Sequence, residues 1–273
     1  MYEAYWQLQQ KPFEGAADAR FYYPGEPQQA AILKLRYAVE SRRTAALLCG
    51  PSGTGKTLVS GMLRDVLDPA CAPVARLVFP QMSTSELLGY LADELEGAPR
   101  ASGPASTQRS IRRIETFLAE NTRQERHAVL VVDEAHLIGQ TETFEALRLL
   151  LNFELDGRPG LTLLLVGQTA LLPMLERMPT LEERLAVKSL LRPFTERETG
   201  EYVTHRLQIA GATAPIFDPQ AMATLQRLTQ GIPRRINRLC DLALLIGFAE
   251  DRKTIGAEHL ESVAQELGAV TPE

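Results

Sequence analysis

Cysteine is scarce in this chain: Cys49, Cys71 and Cys240 are widely spaced and none belongs to a CxxC pair. That pattern supports neither a disulfide framework nor a zinc site, and it suits a reducing compartment. Long apolar runs are lacking as well. Stretches such as 128–132 and 161–167 fall far short of the roughly 20 residues that span a bilayer. The opening MYEAYWQLQQKPFEG has no basic stretch followed by an apolar one. No signal peptide is expected, and no direct insertion into a membrane. Positive charge is not in excess, since 29 lysines and arginines face 34 acids for a net charge of −5. That balance argues against a chain built chiefly to coat nucleic acid, while leaving room for a local basic patch. No internal repeats are evident.

What is present is the composition of an ordinary folded protein. Of 273 residues, 45% are apolar and 23% charged, and the length suits one full α/β domain with a smaller satellite. Short apolar runs at 45–49, 74–79, 128–132, 161–166 and 187–191 read as strands. Runs as uninterrupted as VLVV and LTLLLV suit strands covered on both faces, hence a parallel sheet. Helical patterns separate them at 56–67, 83–95, 106–125, 142–153 and 170–185, so the expected architecture is a doubly wound five-stranded sheet. The Gly-, Pro- and Ser-rich stretch 95–106 reads as a surface loop. Beyond Arg192-Pro193 only helices are expected, at 196–210, 219–229, 233–249 and 257–267. Three regions follow. Residues 1–40 are expected to form an aromatic-rich arm and helix packing on the core, 41–192 an α/β domain, and 193–273 a helical domain.

Two motifs carry the chemistry. Gly50-Pro-Ser-Gly-Thr-Gly-Lys-Thr57 is a complete G-x-x-x-x-G-K-[ST] loop, directly after a strand and opening a helix. Glycines let the backbone wrap closely enough to aim N–H groups at phosphates, and the helix N-terminus adds partial positive charge. Gly50, Pro51, Ser52, Gly53, Thr54, Gly55, Lys56, Thr57 and Leu58 form the candidate cradle. Within it Lys56 would neutralise the β- and γ-phosphates, and the Thr57 hydroxyl would ligate magnesium. The second motif, VLVVDEAH, ends a buried strand in two adjacent acids. Asp133 is placed to hold the magnesium through water and Glu134 to act as general base on the attacking water. A strand followed by a capping acid would look similar in isolation. The run ending at Gln168 brings an amide to the neighbouring strand end, where it either orients the lytic water or satisfies a loop backbone. His136 reads equally as a functional or a plain surface histidine.

Read in order, MYEAYWQLQQKPFE, GPSGTGKT, VLVVDEAH, LRLLLNFELDGRPGLTLLLVGQTALLPML, LEERLAVKSLLRPFT and GIPRRINRLCDLAL resemble ExeA/GspA-type ATPases, from residue 1 to about 267. These serve bacterial secretion systems and have relatives in pilus and exopolysaccharide operons. The resemblance implies an AAA+ P-loop NTPase of the ASCE type, binding ATP and Mg2+ and assembling with itself into a nucleotide-dependent ring or helical filament. It matches Arg234 to the lid arginine that reaches the γ-phosphate of its own subunit. Arg184 matches the arginine that enters a neighbour's site, and it also reads as an exposed helix-end residue. Larger members continue into a membrane span and a wall-binding domain, so wall binding is not carried over.

The expected role is an assembly factor for an envelope machine, cytoplasmic and peripheral to the inner membrane through a protein partner. Two alternatives stand beside it. One is a DNA-bound regulator, because the same branch is similar to TniB/TnsC transposition proteins; Lys34, Arg36, Arg42, Arg43, Arg109, Arg112 and Arg113 would line its DNA surface. The other is a nucleotide-dependent scaffold with little turnover, against which the intact Glu134 speaks. Tyr22 and Tyr23 would stack near the adenine or pack on the sheet edge.

Overall fold

The computed structural model describes residues 1–14, 19–97 and 106–269. Most of the loop expected at 95–106 therefore lies outside the described residues. The chain divides into two compact units. One comprises Pro27–Pro51 and Val59–Leu191; the other comprises Met1–Glu26, Ser52–Leu58 and Arg192–Glu273.

The first unit is a sandwich of helices around one sheet. Its helices are α1 (Glu26–Glu40), α2 (Lys56–Val66), α3 (Thr84–Glu96), α4 (Thr107–Arg123), α5 (Thr141–Leu150), α6 (Leu171–Glu176) and α7 (Pro179–Glu182). The sheet strands are β1 (Ala45–Cys49), β2 (Val74–Leu77), β3 (Ala128–Val132), β6 (Leu161–Gly167) and β7 (Leu185–Leu190), all parallel in the order β2-β3-β6-β1-β7. A small hairpin of β4 (Glu154–Leu155) and β5 (Arg158–Pro159) precedes β6.

Position in the sheet explains the strand sequences. Every residue of β1, β3 and β6 is buried, because helices cover both faces of the three central strands. Alternate side chains serve the two sides. Leu47, Leu130, Leu163 and Leu165 pack with α3, α4 and α5, whereas Leu48, Val129, Val131 and Val166 pack with α1 and α2. Fully burying one such leucine contributes about 1.5–3 kcal/mol. The edge strands β2 and β7 are only partly covered and mix buried with accessible positions.

Three local features differ from the sequence reading, each for a physical reason. The helix expected at 170–185 is broken into α6 and α7 at Pro179, whose preceding residue Met178 leaves the helical region at φ −125° and ψ 68°. The strand expected at 187–191 begins two residues earlier. A bulge shifts its pairing from Ala45↔Leu185 to Ala46↔Val187, which breaks the alternation a sequence pattern relies on. The helix expected at 142–153 stops at Leu150, and the β4–β5 hairpin follows. Asp156 and Gly157 turn it with φ 53° and 73°, the two positive values of a type I′ turn.

The second unit is helical. Its helices α8 (Glu196–Ile209), α9 (Pro219–Thr229), α10 (Pro233–Ala249) and α11 (Ala257–Ala269) close around one apolar core. Thr195 and Glu198 form a reciprocal capping box that starts α8. Arg192 donates to both oxygens of Glu198 at 2.7 and 3.0 Å, and that pairing holds the Glu198 carboxyl at about 2, well below the usual carboxylate range. The 1–40 arm expected on the ATPase core divides between the units. Residues Met1–Glu26 group with the helical unit, because Tyr2, Trp6, Phe13 and Phe21 join its core; α1 beyond Glu26 packs on the sheet. Trp6 donates its indole N–H to the Leu244 carbonyl at 2.9 Å. Buried Arg206 donates to the Pro12 carbonyl at 2.6 Å and lies 4.8 Å from the Phe21 ring centroid. No helix among the described residues is long and apolar enough to cross a membrane.

Candidate functional site

The carboxyl edge of the sheet gathers the acids. β3 delivers Asp133, 3% exposed, whose N–H donates to the Leu77 carbonyl at 2.8 Å. One Asp133 carboxylate oxygen accepts the Glu134 N–H at 3.0 Å; the other accepts Arg76 Nη2 at 2.6 Å. Glu134 itself is left-handed, at φ 50° and ψ 35°. A non-glycine residue held there stores strain that only its surroundings maintain, a pattern concentrated at functional sites. Its Oε2 is shielded from solvent, has no hydrogen-bond partner among the described residues and lies 3.4 Å from His136 Nδ1. A carboxylate oxygen so placed has unused accepting capacity for a polarised water.

Gln168 stands one residue beyond β6, and its N–H donates to His136 Nδ1 at 3.3 Å. His136 thereby bridges the ends of β3 and β6, which gives the histidine left open by the sequence a definite place. Arg76 was missed by sequence reasoning altogether. It sits on β2 opposite Val131, and nothing in its local string separates it from a solvent-facing edge arginine.

The loop that follows β1 starts in the same unit. Gly50 donates to the Gly167 carbonyl at 3.3 Å, and a Cβ at Gly50 would lie 2.3 Å from the Leu191 carbonyl oxygen, so no larger residue fits. Ser52–Leu58 groups with the helical unit. There Gly53, at φ 81°, accepts the Arg234 N–H at 3.2 Å, and a Cβ on it would stand 2.8 Å from Arg234 Cβ. Arg234, exposed, also reaches the Ser52 hydroxyl at 3.4 Å. The loop thus rests against the first turn of α10. Thr54 and Lys56 are buried, Pro51, Gly53, Gly55 and Leu58 intermediate, and Ser52 and Thr57 exposed. α2 begins at Lys56, and a helix start offers N–H groups and a positive dipole end to an anion.

Arg184 lies elsewhere. It precedes β7 at the amino edge of the sheet, where its guanidinium donates to Asn152 Oδ1 at 2.6 Å. Within the α/β unit, then, Asp133, Glu134 and Gln168 are brought together and Arg184 is not. Tyr23 packs on Phe194 and Tyr202 of the helical unit, with centroids 5.6 and 5.8 Å apart, rather than on the sheet edge. Four of the seven basic residues considered for DNA have protein partners. Arg36 pairs with Glu40, Arg113 with Asp93 and Glu96, and Arg42 donates to the Glu125 carbonyl and Arg43 to the Tyr37 hydroxyl.

Residues 39–175, half of the chain, match the AAA domain family. The chain belongs to that family. It is 33% identical to General secretion pathway protein A of Aeromonas hydrophila across 276 aligned residues, covering 100% of this chain and 50% of that protein. The chain therefore spans half the length of the curated relative it matches, and the ExeA/GspA resemblance extends over its whole length. Among solved structures, the Aeropyrum pernix ORC2 protein superposes with a TM-score of 0.71 at 16% identity, over 97% of this chain and 73% of the other. The Aeropyrum pernix ORC1 protein in complex with DNA gives 0.68 at 18%, over 96% and 69%. The Thermotoga maritima RuvB branch migration motor gives 0.58 at 17%, over 89% and 69%. These three share the fold of this AAA domain.

Membership in the AAA family implies nucleotide binding, and the donor set suits a magnesium nucleotide. The Thr57 hydroxyl and the Asp133 carboxylate are hard oxygen donors of the kind Mg2+ prefers. Among the described residues no three His, Cys, Asp or Glu side chains cluster as a metal cage. A magnesium ion carried largely by phosphates and water needs none.

Proposed function

We propose that this AAA domain binds and hydrolyses ATP with magnesium, and that it works as an oligomeric assembly factor for a bacterial secretion-type envelope machine at the cytoplasmic face of the inner membrane. The observation that carries the catalytic part is Glu134, held left-handed beside Asp133 with a shielded oxygen that has no hydrogen-bond partner among the described residues. Magnesium would supply charge neutralisation at the β- and γ-phosphates. Lys56 adds a second positive charge there, and Thr57 and Asp133 would hold the metal. Glu134 accepts a proton from the attacking water as the water's oxygen closes on the γ-phosphorus. The bond from that phosphorus to the bridging oxygen breaks, ADP leaving with that oxygen, and Gln168 orients the water. Arg234 stabilises charge on the phosphoryl oxygens from within the subunit.

Arg184, at the opposite edge of the sheet from these acids, fits a role in a neighbouring copy's site better than in its own. That assignment requires the Asn152 contact to open on assembly. The secretion role rests on 33% identity to General secretion pathway protein A over the whole of this chain and half of that protein. The DNA reading draws no support from Arg36, Arg42, Arg43 and Arg113, four of its seven basic residues, which already have partners. The deciding experiment for catalysis is phosphate release by wild type and Glu134→Gln. Equal rates would remove Glu134 as the base, and absence of calorimetric heat with ATP and magnesium would remove the nucleotide altogether.

A further inference from the structure

We infer that His136 is a positioning residue for hydrolysis: its ring ties Gln168 to Glu134 and, with Nδ1 held as an acceptor, keeps the Glu134 carboxylate uncommitted for the attacking water. This rests on the reading of Glu134 as the general base and Gln168 as the residue that orients the water. Those two stand just beyond different strands, β3 and β6. The water they share requires their places to be set against each other.

His136 is anchored toward both. It sits in the short helical turn Ala135–Leu137, which the Leu137 N–H closes by donating to the Glu134 carbonyl at 2.8 Å. Its backbone thus shares one turn with Glu134. On the other side the ring lies against Gly167, where a Cβ would stand 3.4 Å from Nδ1 and 3.0 Å from Leu171 Cδ2. The bare glycine lets the ring pack closely on the end of β6. The Gly167 carbonyl in turn accepts the Gly50 N–H at 3.3 Å, which joins the start of the glycine-rich loop to the same strand end.

Hydrogen bonding decides the tautomer. A backbone N–H can only donate, and that of Gln168 reaches His136 Nδ1 at 3.3 Å. This nitrogen therefore presents a lone pair, and the ring proton sits on Nε2. Glu134 Oε2 lies 3.4 Å from the same Nδ1 and receives no proton from it, although the distance alone would suit an ion pair. A proton on Nδ1 would occupy that oxygen and leave the Gln168 N–H without its acceptor. As built, Oε2 has no hydrogen-bond partner among the described residues and keeps its accepting capacity for a water proton. No proton of the reaction passes through the histidine; it acts through Glu134.

The test combines steady-state ATP hydrolysis by the full chain with nitrogen NMR of the same protein labelled at histidine, without nucleotide. His136→Phe should lower kcat by about tenfold to a hundredfold, the scale of a misplaced catalytic group, with KM for ATP within about twofold. His136→Asn, whose Oδ1 takes the place of Nδ1 and accepts the Gln168 N–H, should return kcat to within about threefold of wild type. His136→Gln, whose amide reaches the place of Nε2 instead, should stay as low as His136→Phe. In a Glu134→Gln background the His136→Phe loss should shrink below about twofold, since both changes disable one group. In the spectra, the resonances absent from His136→Asn should show a bare Nδ1 and a proton on Nε2. A proton on Nδ1, a loss that multiplies with that of Glu134→Gln, or failure of His136→Asn to rescue overturns the inference. If His136→Phe does not fold, the contrast between His136→Asn and His136→Gln decides together with the spectra. Wild-type turnover equal to that of Glu134→Gln would instead refute the base itself, a result seen before any His136 variant is made.

Discussion

The two edges of the one sheet are built differently. At the carboxyl edge, Glu134 is strained, its Oε2 has no hydrogen-bond partner among the described residues and Asp133 pairs with Arg76. At the amino edge, Thr162 is bonded on both sides. Its hydroxyl donates to the Arg43 carbonyl at 2.5 Å and receives His127 Nε2 at 2.7 Å. Arg184 is tied to Asn152 and accepts from Thr44 through its own carbonyl. Unpartnered polar atoms occur at both edges among the described residues, Glu134 Oε2 at one and His127 Nδ1 and Arg42 Nη1 at the other, so what sets the carboxyl edge apart is its strained glutamate.

The sharpest way to break that contrast is Glu134→Gln. It should lower the rate of phosphate release by about 10²- to 10⁴-fold, the range of a general base, and leave the melting temperature near wild type. A comparable loss of stability would make Glu134 a structural residue. Lys56→Ala should weaken ATP binding by about tenfold to a hundredfold, as expected for a lost charged hydrogen bond, and calorimetry reads it directly.

Effects on folding come next. Leu163→Ala, between the edges, should cost about 2–5 kcal/mol in denaturant unfolding without moving nucleotide affinity, because it leaves a cavity under α3–α5. The amino edge carries a pH signature. Burial, helped by the Arg42 charge, lowers His127 from its ordinary value to about 4, so the folded protein refuses a proton that the unfolded chain takes up. Stability should be level above the unfolded value of about 6.5 and fall by at most about 3 kcal/mol as pH drops from there to about 4. His127→Gln should flatten that stretch of the curve. The smallest effect expected is for Glu198→Gln in the helical unit. Loss of the charge that pairs with Arg192, the glutamine keeping the cap, should cost about 1 kcal/mol at neutral pH, discounted for exposure of the arginine, with the difference shrinking toward pH 2.

Legibility followed range. Where a residue's environment is decided by its immediate neighbours in sequence, the expectation matched. The runs at 45–49 and 128–132 and the helices at 219–229 and 233–249 carry their own periodicity and their own prolines at helix starts. The Asp156-Gly157 turn and the break at Pro179 had local signals that were passed over because the surrounding apolar residues also fit a helix. The home of the arm had none. Tyr2, Trp6 and Phe13 look equally suited to any apolar surface, and only the core formed by α8–α11 selects them.

The linear order of residues by itself determined the parallel α/β class and the placement of Gly50–Thr57 after one strand and Asp133-Glu134 after another. Buried strand runs and glycine-rich turns follow from short-range sterics and solvation, which a local string contains in full. Tertiary structure alone decided that Arg76 faces Asp133, that His136 joins the ends of β3 and β6 through Gln168 and that Arg184 lies at the far edge. Those relations depend on strand order and register between residues 32 to 57 positions apart, and no short stretch of sequence encodes them.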